Sequence, residues 1–145
     1  MAPIEAAYKK MAAHQWLVQW GIWLHDGNRI SIGRTMHPLA RLMGDAGGAG
    51  VFREANEPQA MAVQEVWAHM VAEGKNWELT RFRRQTYALY AFVLKLDYIE
   101  DRWTRKEMVS HIAAKYHRPK YNERSLLNNL SGAVGYVGHR LGIGT

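Results

Sequence analysis

The strongest constraint on the fold is the spacing of apolar residues in the C-terminal stretch from Thr104 to Leu141. Apolar side chains recur there every three or four residues, which is the period of a helix with one buried face. Pro119 is poorly tolerated inside a helix, so the spacing predicts two helices and not one. The first has a narrow apolar stripe and the second a longer seam, formed by Met108, Val109, Ile112 and Ala113 and by Leu127, Leu130, Val134, Val137 and Leu141.

Residues that favour helix starts mark the beginning of both predicted helices. Thr104 and Glu107 have the spacing of a capping box, and Asn122 is a good N-cap for the second helix. A first helix, a turn and a second helix with polar residues at its leading end form the layout of a helix-turn-helix that binds DNA. The polar side chains off the seam are those of Asn122, Arg124, Ser125, Asn128 and Asn129.

Basic residues are concentrated in the same part of the chain. The formal net charge is +6, and residues 1–100 hold 11 lysines and arginines against 10 acidic residues. Residues 101–145 hold 8 against 3, a balance of +5. Such a patch is typical of a surface that contacts phosphates, although a solvated basic face without a partner has the same composition. The basic residues are Arg102, Arg105, Lys106, Lys115, Arg118, Lys120, Arg124 and Arg140.

The rest of the chain predicts further helices and no strand. We therefore expect an all-α fold of about six helices with a C-terminal helix-turn-helix. Residues 1–100 would form a helical body, and residues 101–145 a DNA-binding part packed on it as one compact unit. The predicted helices of the body are Pro3–His25, ending near Gly27 before a polar connection over residues 26–37, then Pro38–Asp45, Asn56–Gly74 and Asn76–Leu96.

Apolar positions within these helices predict the core. The three tryptophans of the first helix are interpreted as core residues, with an exposed aromatic docking surface as the alternative. Arg81, Arg83 and Arg84 cluster near the start of the last helix, where cations oppose the helix dipole, which indicates either a partner or a solvated face. The inward-facing residues are predicted to be Ala13, Trp16, Leu17, Trp20 and Leu24 with Trp23 beside them, Leu39, Leu42 and Met43, Val63, Val66, Trp67 and Met70, and Phe82, Leu89, Val93 and Leu96.

Several function classes find no support in the sequence. The chain has no cysteine, which excludes disulfides and thiolate metal sites and suits a reducing bacterial cytoplasm. No apolar run approaches the ~18 residues of a membrane span, and Glu5, Lys9 and Lys10 stand where a signal peptide needs an apolar core. The histidines form no i, i+4 pair, so no metal site is expected. Gly44–Gly50 lacks the lysine of a phosphate-binding loop, so we expect a flexible linker, no cofactor and no enzymatic activity.

The order of these features resembles the lambdoid phage antitermination protein Q family, in the branch without a zinc-binding insertion. The similarity spans most of the chain. Members of this family carry a helix-turn-helix that resembles region four of sigma factors. The matching segments are Gln15–Trp23 (QWLVQWGIW), Ser31–Gly33, Leu39–Gly44, Glu57–Val63, Leu89–Phe92 and a helix-turn-helix that contains Ile112 and Ala113.

What the resemblance implies is a bacteriophage or prophage regulator of transcription. Such a protein binds a double-stranded DNA element at a late promoter and then transfers to bacterial RNA polymerase that is paused nearby with its sigma factor. It acts at the RNA exit channel, which it narrows so that a terminator hairpin cannot form inside. Two segments depart from the family pattern: the connection over residues 118–122 is longer, and residues 102–103 extend the chain ahead of the first helix.

The resemblance also suggests roles for individual residues. The polar residues at the start of the second helix would approach base edges, while basic residues around the turn would hold phosphates. Capping and solvent exposure are the alternative roles for the asparagines. Polymerase contact would fall to the N-terminal helices. The candidates are Asn122, Arg124, Ser125, Asn128 and Asn129 for bases, Lys115, Arg118 and Lys120 for phosphates, and Arg81, Arg83 and Arg84 for polymerase.

Two other classes of protein fit the same pattern. A dimeric helix-turn-helix repressor would need a palindromic site and a dimer surface, for which the tryptophan face is the candidate. A helical adaptor that binds only polymerase or sigma factor would use the basic charge against an acidic protein surface. Steep salt dependence with sequence-selective DNA binding would count against the adaptor. The sequence leaves open the DNA site and whether several copies act on one complex.

Overall fold

The computed structural model describes residues 3–33, 56–100 and 102–143, and the side chains of all of these except residues 26–33. In these ranges the chain forms six α-helices and one π-helical turn, and no strand is present. The predicted all-α fold is therefore confirmed. The predicted helix Pro38–Asp45 and the Gly44–Gly50 loop lie outside the described residues. The helices are α1 (Pro3–Lys9), α2 (Ala12–Gly33), α3 (Glu57–Glu73), α4 (Arg81–Leu94) with the π turn (Lys95–Glu100), α5 (Arg105–Lys115) and α6 (Glu123–Leu141).

The predicted caps of three helices are confirmed. Asn56 begins α3, and its side-chain oxygen accepts a hydrogen bond of 3.2 Å from the backbone N–H of Gln59. Thr104 and Glu107 form the capping box of α5: each side chain accepts a 3.1 Å hydrogen bond from the other residue's backbone N–H. Asn122 caps α6. Short polar side chains at these positions satisfy amides that would otherwise lack partners, so local sequence is sufficient to place these helix starts.

The first predicted helix, Pro3–His25, is interrupted in its middle. At residues 10–11 the backbone N–H groups bond to carbonyls three residues earlier, which closes α1 before α2 begins. Both Tyr8 and Ala13 are buried. A continuous helix would point these two side chains about 140° apart, so the break allows both to face one core.

The predicted end of the first helix near Gly27 is wrong. α2 continues to Gly33, so residues 26–33 of the predicted polar connection are helical. A glycine inside a helix costs only about 1 kcal/mol relative to alanine, which is too little to end a long helix on its own.

The predicted start of the fourth helix at Asn76 is also wrong. Its side-chain oxygen instead accepts a 3.1 Å hydrogen bond from the N–H of Glu78, which closes a turn. α4 begins at Arg81, and the N-cap is Thr80, whose hydroxyl accepts a 3.3 Å hydrogen bond from the N–H of Arg83. Asparagine serves both purposes because its short side chain bonds backbone amides in turns as readily as at helix starts.

The prediction that Phe82 faces the core is wrong, because its side chain is 78% exposed. Helical phase alone would place it above the buried Leu89. However, Gly74 at the end of α3 lies against Ala88, where a Cβ on the glycine would be 3.1 Å from the alanine Cβ. The first turn of α4 therefore extends beyond the end of α3, and its side chains have no helix to cover them.

The tryptophans of α2 belong to the core, as predicted. Trp20 is fully buried, and its indole N–H donates a 2.8 Å hydrogen bond to the side-chain oxygen of Gln64. Its ring lies 5.7 Å from that of Trp67 on α3. Trp16 and Trp23 are partly buried against the same core. This face is therefore occupied within the chain and does not offer the dimer surface that a repressor would need.

The C-terminal helix α6 lies at the centre of the fold. It contacts all five of the other α-helices that the structure describes. The predicted seam residues from Leu127 to Val137 are buried, and Leu126 beside them, which the spacing did not select, is buried too. Tyr87 packs edge-on against Tyr136, with ring centroids 5.6 Å apart, and Tyr90 contacts Gly132. The opposite order of the two pairs shows that α4 and α6 run antiparallel.

Arg105 joins three distant parts of the chain. Its guanidinium donates hydrogen bonds of 2.9 Å to Glu5 and to the Tyr8 hydroxyl on α1, and one of 2.8 Å to Asp97 on the π turn. Burial alone would lower the pKa of Arg105, but hydrogen bonds to the Glu5 and Asp97 carboxylates raise it. The same bond to Arg105, with one from Lys9, holds the pKa of Glu5 below its usual range. Arg105 is thus a structural residue and leaves the predicted basic patch.

The π turn Lys95–Glu100 packs directly on the backbone of α2. A π turn closes its hydrogen bonds over five residues and so holds one more residue than an α turn. At the point of contact, a Cβ on Gly21 would collide with the carbonyl oxygen of Tyr98. The missing side chain of Gly21 therefore allows the two backbones to touch, which places Asp97 beside Arg105.

Adding a methyl group at Gly21 should destabilise the protein. We expect Gly21→Ala to lower the free energy of unfolding by about 1–3 kcal/mol, because the clash is with backbone and cannot be relieved by a rotamer change. The control is Gly135→Ala on α6, where a Cβ would meet nothing within 4 Å. That substitution should be neutral or stabilise by up to about 1 kcal/mol through helix propensity. Urea denaturation measures both, and equal stability of the two variants would contradict the contact.

A second expectation concerns pH, through His14 on α2. Its Nδ1 lies 2.7 Å from the hydroxyl oxygen of Tyr98, and burial, followed by the Lys9 ammonium, lowers the pKa of His14 while Asp97 opposes this. Below about pH 6.5, the ordinary value for histidine, the unfolded chain binds a proton here that the folded chain resists. The free energy of unfolding should therefore fall as the pH decreases through this range. His14→Gln should flatten the dependence, which denaturation at several pH values would reveal.

Candidate nucleic-acid interface

The connection between α5 and α6 begins with a left-handed residue. His117 has a φ of 53°, and the N–H of Arg118 reaches back to the carbonyl of Ala113 with a 2.9 Å bond. This is the Schellman pattern of helix ends, in which glycine is usual because other residues are strained at positive φ. The sharp reversal ends α5 and turns residues 118–120 away from the core.

Two tyrosines anchor the connection at either side of this exposed segment. Tyr116 and Tyr121 pack against the core, whereas Arg118 and Lys120 between them are exposed. Burial raises the pKa of Tyr121 to about 12, so its hydroxyl stays protonated and remains a hydrogen-bond donor at neutral pH. The two basic side chains thus project from a turn whose ends are fixed.

Three of the five predicted base-contacting residues have partners inside the protein. The side-chain oxygen of Asn122 accepts hydrogen bonds from the backbone N–H of Ser125 at 2.9 Å and from its hydroxyl at 3.1 Å. The Asn129 oxygen accepts a 2.6 Å bond from the Tyr121 hydroxyl. Asn122 therefore has the capping role that was its alternative, and the Asn129 amide is left with its NH₂ group as the available donor.

The other two, Arg124 and Asn128, are exposed on the first turns of α6. They are four residues apart, so their side chains lie one above the other on the same helix face. No hydrogen bond or ion pair with any described residue holds either side chain. These two residues have the freedom and the spacing to reach a ligand together.

Lys115 lies at the end of α5, where it is held by aromatic rings. Its ammonium nitrogen is 3.9 Å from the centroid of the Phe92 ring and 5.8 Å from that of Tyr116. Cation–π contacts of this kind hold a flexible lysine near one position without neutralising its charge. Lys115, Arg118 and Lys120 therefore present three positive charges around the connection.

An aromatic stack behind this surface was not recognised from the sequence. The His111 ring lies between Trp103 and Phe92, with centroid distances of 5.1 and 5.4 Å and interplanar angles near 30°. The guanidinium of Arg102 lies 5.2 Å from the Trp103 ring centroid. The stack attaches α5 to the end of α4 and so fixes the position of the connection. A tryptophan, a histidine and a phenylalanine at unrelated sequence positions gave no periodic signal for it.

The arginines predicted to contact polymerase lie at the other end of α4. Arg81 and Arg83 are exposed, whereas Arg84 donates a 2.6 Å hydrogen bond to the carbonyl of Leu79 and covers one face of the Trp77 ring at 4.3 Å. Trp77 is 84% exposed, and no pattern in the sequence selected it. Its position directly after Asn76, in what proved to be a turn, was the available signal.

Comparisons and local chemistry add few constraints. The chain matches no protein-family model, no curated protein and no solved structure. In the ranges that the structure describes, no group of three or more histidine and acidic residues could hold a metal ion. Within the same ranges, no helix is long and apolar enough to cross a membrane.

The difference between Asn122 and Asn128 predicts different effects on stability. Asn122→Ala removes the cap of α6 and should lower the free energy of unfolding by about 1 kcal/mol. Asn128→Ala changes an exposed side chain without partners and should alter it by less than about 0.5 kcal/mol. Chemical denaturation of both variants tests this. A loss of similar size in Asn128→Ala would mean that this asparagine has a structural partner.

Proposed function

We propose that the protein is a phage transcription antiterminator that binds a double-stranded DNA element at a late promoter. The observation that supports DNA binding is the leading end of α6, where the exposed pair Arg124 and Asn128 is flanked by the basic connection. A helix-turn-helix formed by α5 and α6 would insert this end into the major groove. The resemblance to the antitermination family supports the further step to RNA polymerase.

Arg124 and Asn128 suit base recognition by their chemistry. Arginine donates two hydrogen bonds to guanine O6 and N7, and asparagine pairs with adenine through one donor and one acceptor. Asn129 is a weaker candidate for adenine, because its oxygen already accepts the Tyr121 hydroxyl. Its remaining N–H groups suit an acceptor such as guanine O6 or thymine O4.

Phosphate contacts would come from the connection. Arg118 and Lys120 are exposed between the two anchoring tyrosines, and Lys115 is held against Phe92. The N-terminus of α6 adds the partial positive charge of the helix dipole at the same place. Such contacts set the position of the helix on the duplex, while the base contacts select the sequence.

The polymerase step rests on the family resemblance. After binding DNA, the protein would load onto RNA polymerase that is paused with its sigma factor, and would let it pass terminators by acting at the RNA exit channel. The helical body of residues 1–100 is the part proposed to contact polymerase. The function needs no cofactor.

The two classes of DNA contact predict different mutant behaviour. Arg124→Ala should lose ~1–3 kcal/mol of binding free energy and relax specificity at one base pair. Lys120→Ala should weaken binding to all sequences alike and reduce the salt slope by about 1. Arg140→Ala, an exposed basic change at the far end of α6, is the matched control and should change neither. Fluorescence anisotropy on duplexes at several salt concentrations measures all three, and unchanged binding in both test variants would refute this placement.

The function is tested by selecting bound fragments of the source genome with the purified protein, with Arg124→Ala as the control. Enrichment of an asymmetric site or direct repeat that overlaps a promoter supports the proposal and leads to a terminator readthrough assay with polymerase and sigma factor. A palindromic site would assign the protein to the repressors. The absence of any enrichment at moderate salt would favour an adaptor that binds only protein.

A further inference from the structure

Two aromatic side chains are unusually exposed at the end of the molecule where α4 begins. Trp77 is 84% exposed and Phe82 is 78% exposed. Among the described residues, Met61 at 50% is the next large apolar side chain, and it lies on a different helix. Aromatic rings bury a large area when they find a partner, so two open rings this close in the chain indicate a binding surface.

The Trp77 ring is held in place on one face and open on the other. The Arg84 guanidinium lies 4.3 Å from the ring centroid, and the same guanidinium is fixed by its 2.6 Å hydrogen bond to the Leu79 carbonyl. Because the side chain as a whole is 84% exposed, the opposite ring face is free. A flat ring supported from behind by a fixed cation is a platform on which another planar group can stack.

The surroundings of the two rings are positively charged. Arg81 and Arg83 are exposed beside Phe82, and no carboxylate among the described residues pairs with either guanidinium. Glu78 is the one acidic residue between positions 74 and 96 of the sequence. Both arginines also lie in the first turn of α4, where the helix dipole disfavours cations. An anion at this place would relieve both kinds of repulsion.

We propose that Trp77, Phe82, Arg81 and Arg83 form a binding site for single-stranded nucleic acid, with bases stacked on the rings and phosphates paired with the arginines. A single strand supplies planar groups and regularly spaced anions together, which matches both features of the surface. Duplex DNA does not, because its base faces are already stacked on each other. An acidic protein segment would match the charge and leave the supported ring face without a planar partner.

This site is separate from the proposed duplex site. Phe92, near the far end of α4, contacts Tyr116 and Lys115 of the α5–α6 connection. Arg81 lies eleven residues earlier on the same helix, which at 1.5 Å per residue is about 16 Å away along the axis. The two surfaces therefore lie toward opposite ends of one helix. The inference goes beyond the proposed function and does not depend on it.

The test measures binding of the full chain to a short labelled oligothymidine and to a mixed-sequence RNA strand by fluorescence anisotropy. Trp77→Ala and Phe82→Ala should each weaken binding to the strands about tenfold, since loss of base stacking costs ~1–3 kcal/mol per base. Trp77→Phe keeps a stacking ring and should retain most of the affinity. The double variant Arg81→Ala and Arg83→Ala should reduce the salt slope by about 1.4, because two phosphate contacts are lost.

Two control variants show whether a loss of strand binding is specific to this surface. Met61→Ala removes an exposed apolar side chain elsewhere and should leave strand binding unchanged. Arg124→Ala should impair duplex binding while strand binding persists, so failure of one proposal is distinguishable from failure of the other. The site is refuted if Trp77→Ala and Phe82→Ala bind strands as the parent does. Unchanged strand binding together with lost binding to purified RNA polymerase would also refute it, and would assign the surface to a protein partner.

Discussion

The ionic contacts of Arg105 are the constraint on which the arrangement of the helices depends. One guanidinium binds Glu5, Tyr8 and Asp97 and so joins the first helix, the π turn and the first of the two C-terminal helices. Sequence separations of 97 and 100 residues to the α1 partners make these contacts tertiary in character. Because all four side chains are partly shielded from water, loss of any one would leave a poorly solvated charge or hydroxyl without its partner.

The use of Arg105 inside the fold changes the meaning of the basic C-terminal third. Its charge contributes to the +5 balance of residues 101–145 but is compensated by two carboxylates. The charges that remain available around the connection are those of Lys115, Arg118, Lys120 and Arg124. Net charge thus overestimates the number of phosphate contacts that this surface provides, whereas the location of the exposed charges agrees with the layout expected of a reader of DNA.

Local physics explains which parts of the structure were predictable. Caps at Asn56, Thr104 and Asn122 and the apolar seam of α6 follow from residue types and spacing alone, and the structure confirms them. The break after α1, the exposure of Phe82 and the contacts of Arg105 depend on where other helices end or pass, which a single sequence does not encode locally. The candidate site lies between these cases. Its helix start was predictable, but the division of the asparagines into capping, tyrosine-bonded and free residues required tertiary contacts.

The π turn Lys95–Glu100 has a consequence for how this chain tolerates changes of length. Its backbone contains one residue more than an α-helical path would need, so a deletion there can be absorbed by conversion to regular helix. The conversion would, however, rotate everything that follows by about 100° relative to α4. Asp97 would leave Arg105, and the Tyr98 carbonyl would leave Gly21. Length in this segment therefore acts as an angular setting between the helical body and the C-terminal pair, and homologues that differ by one residue here should orient that pair differently.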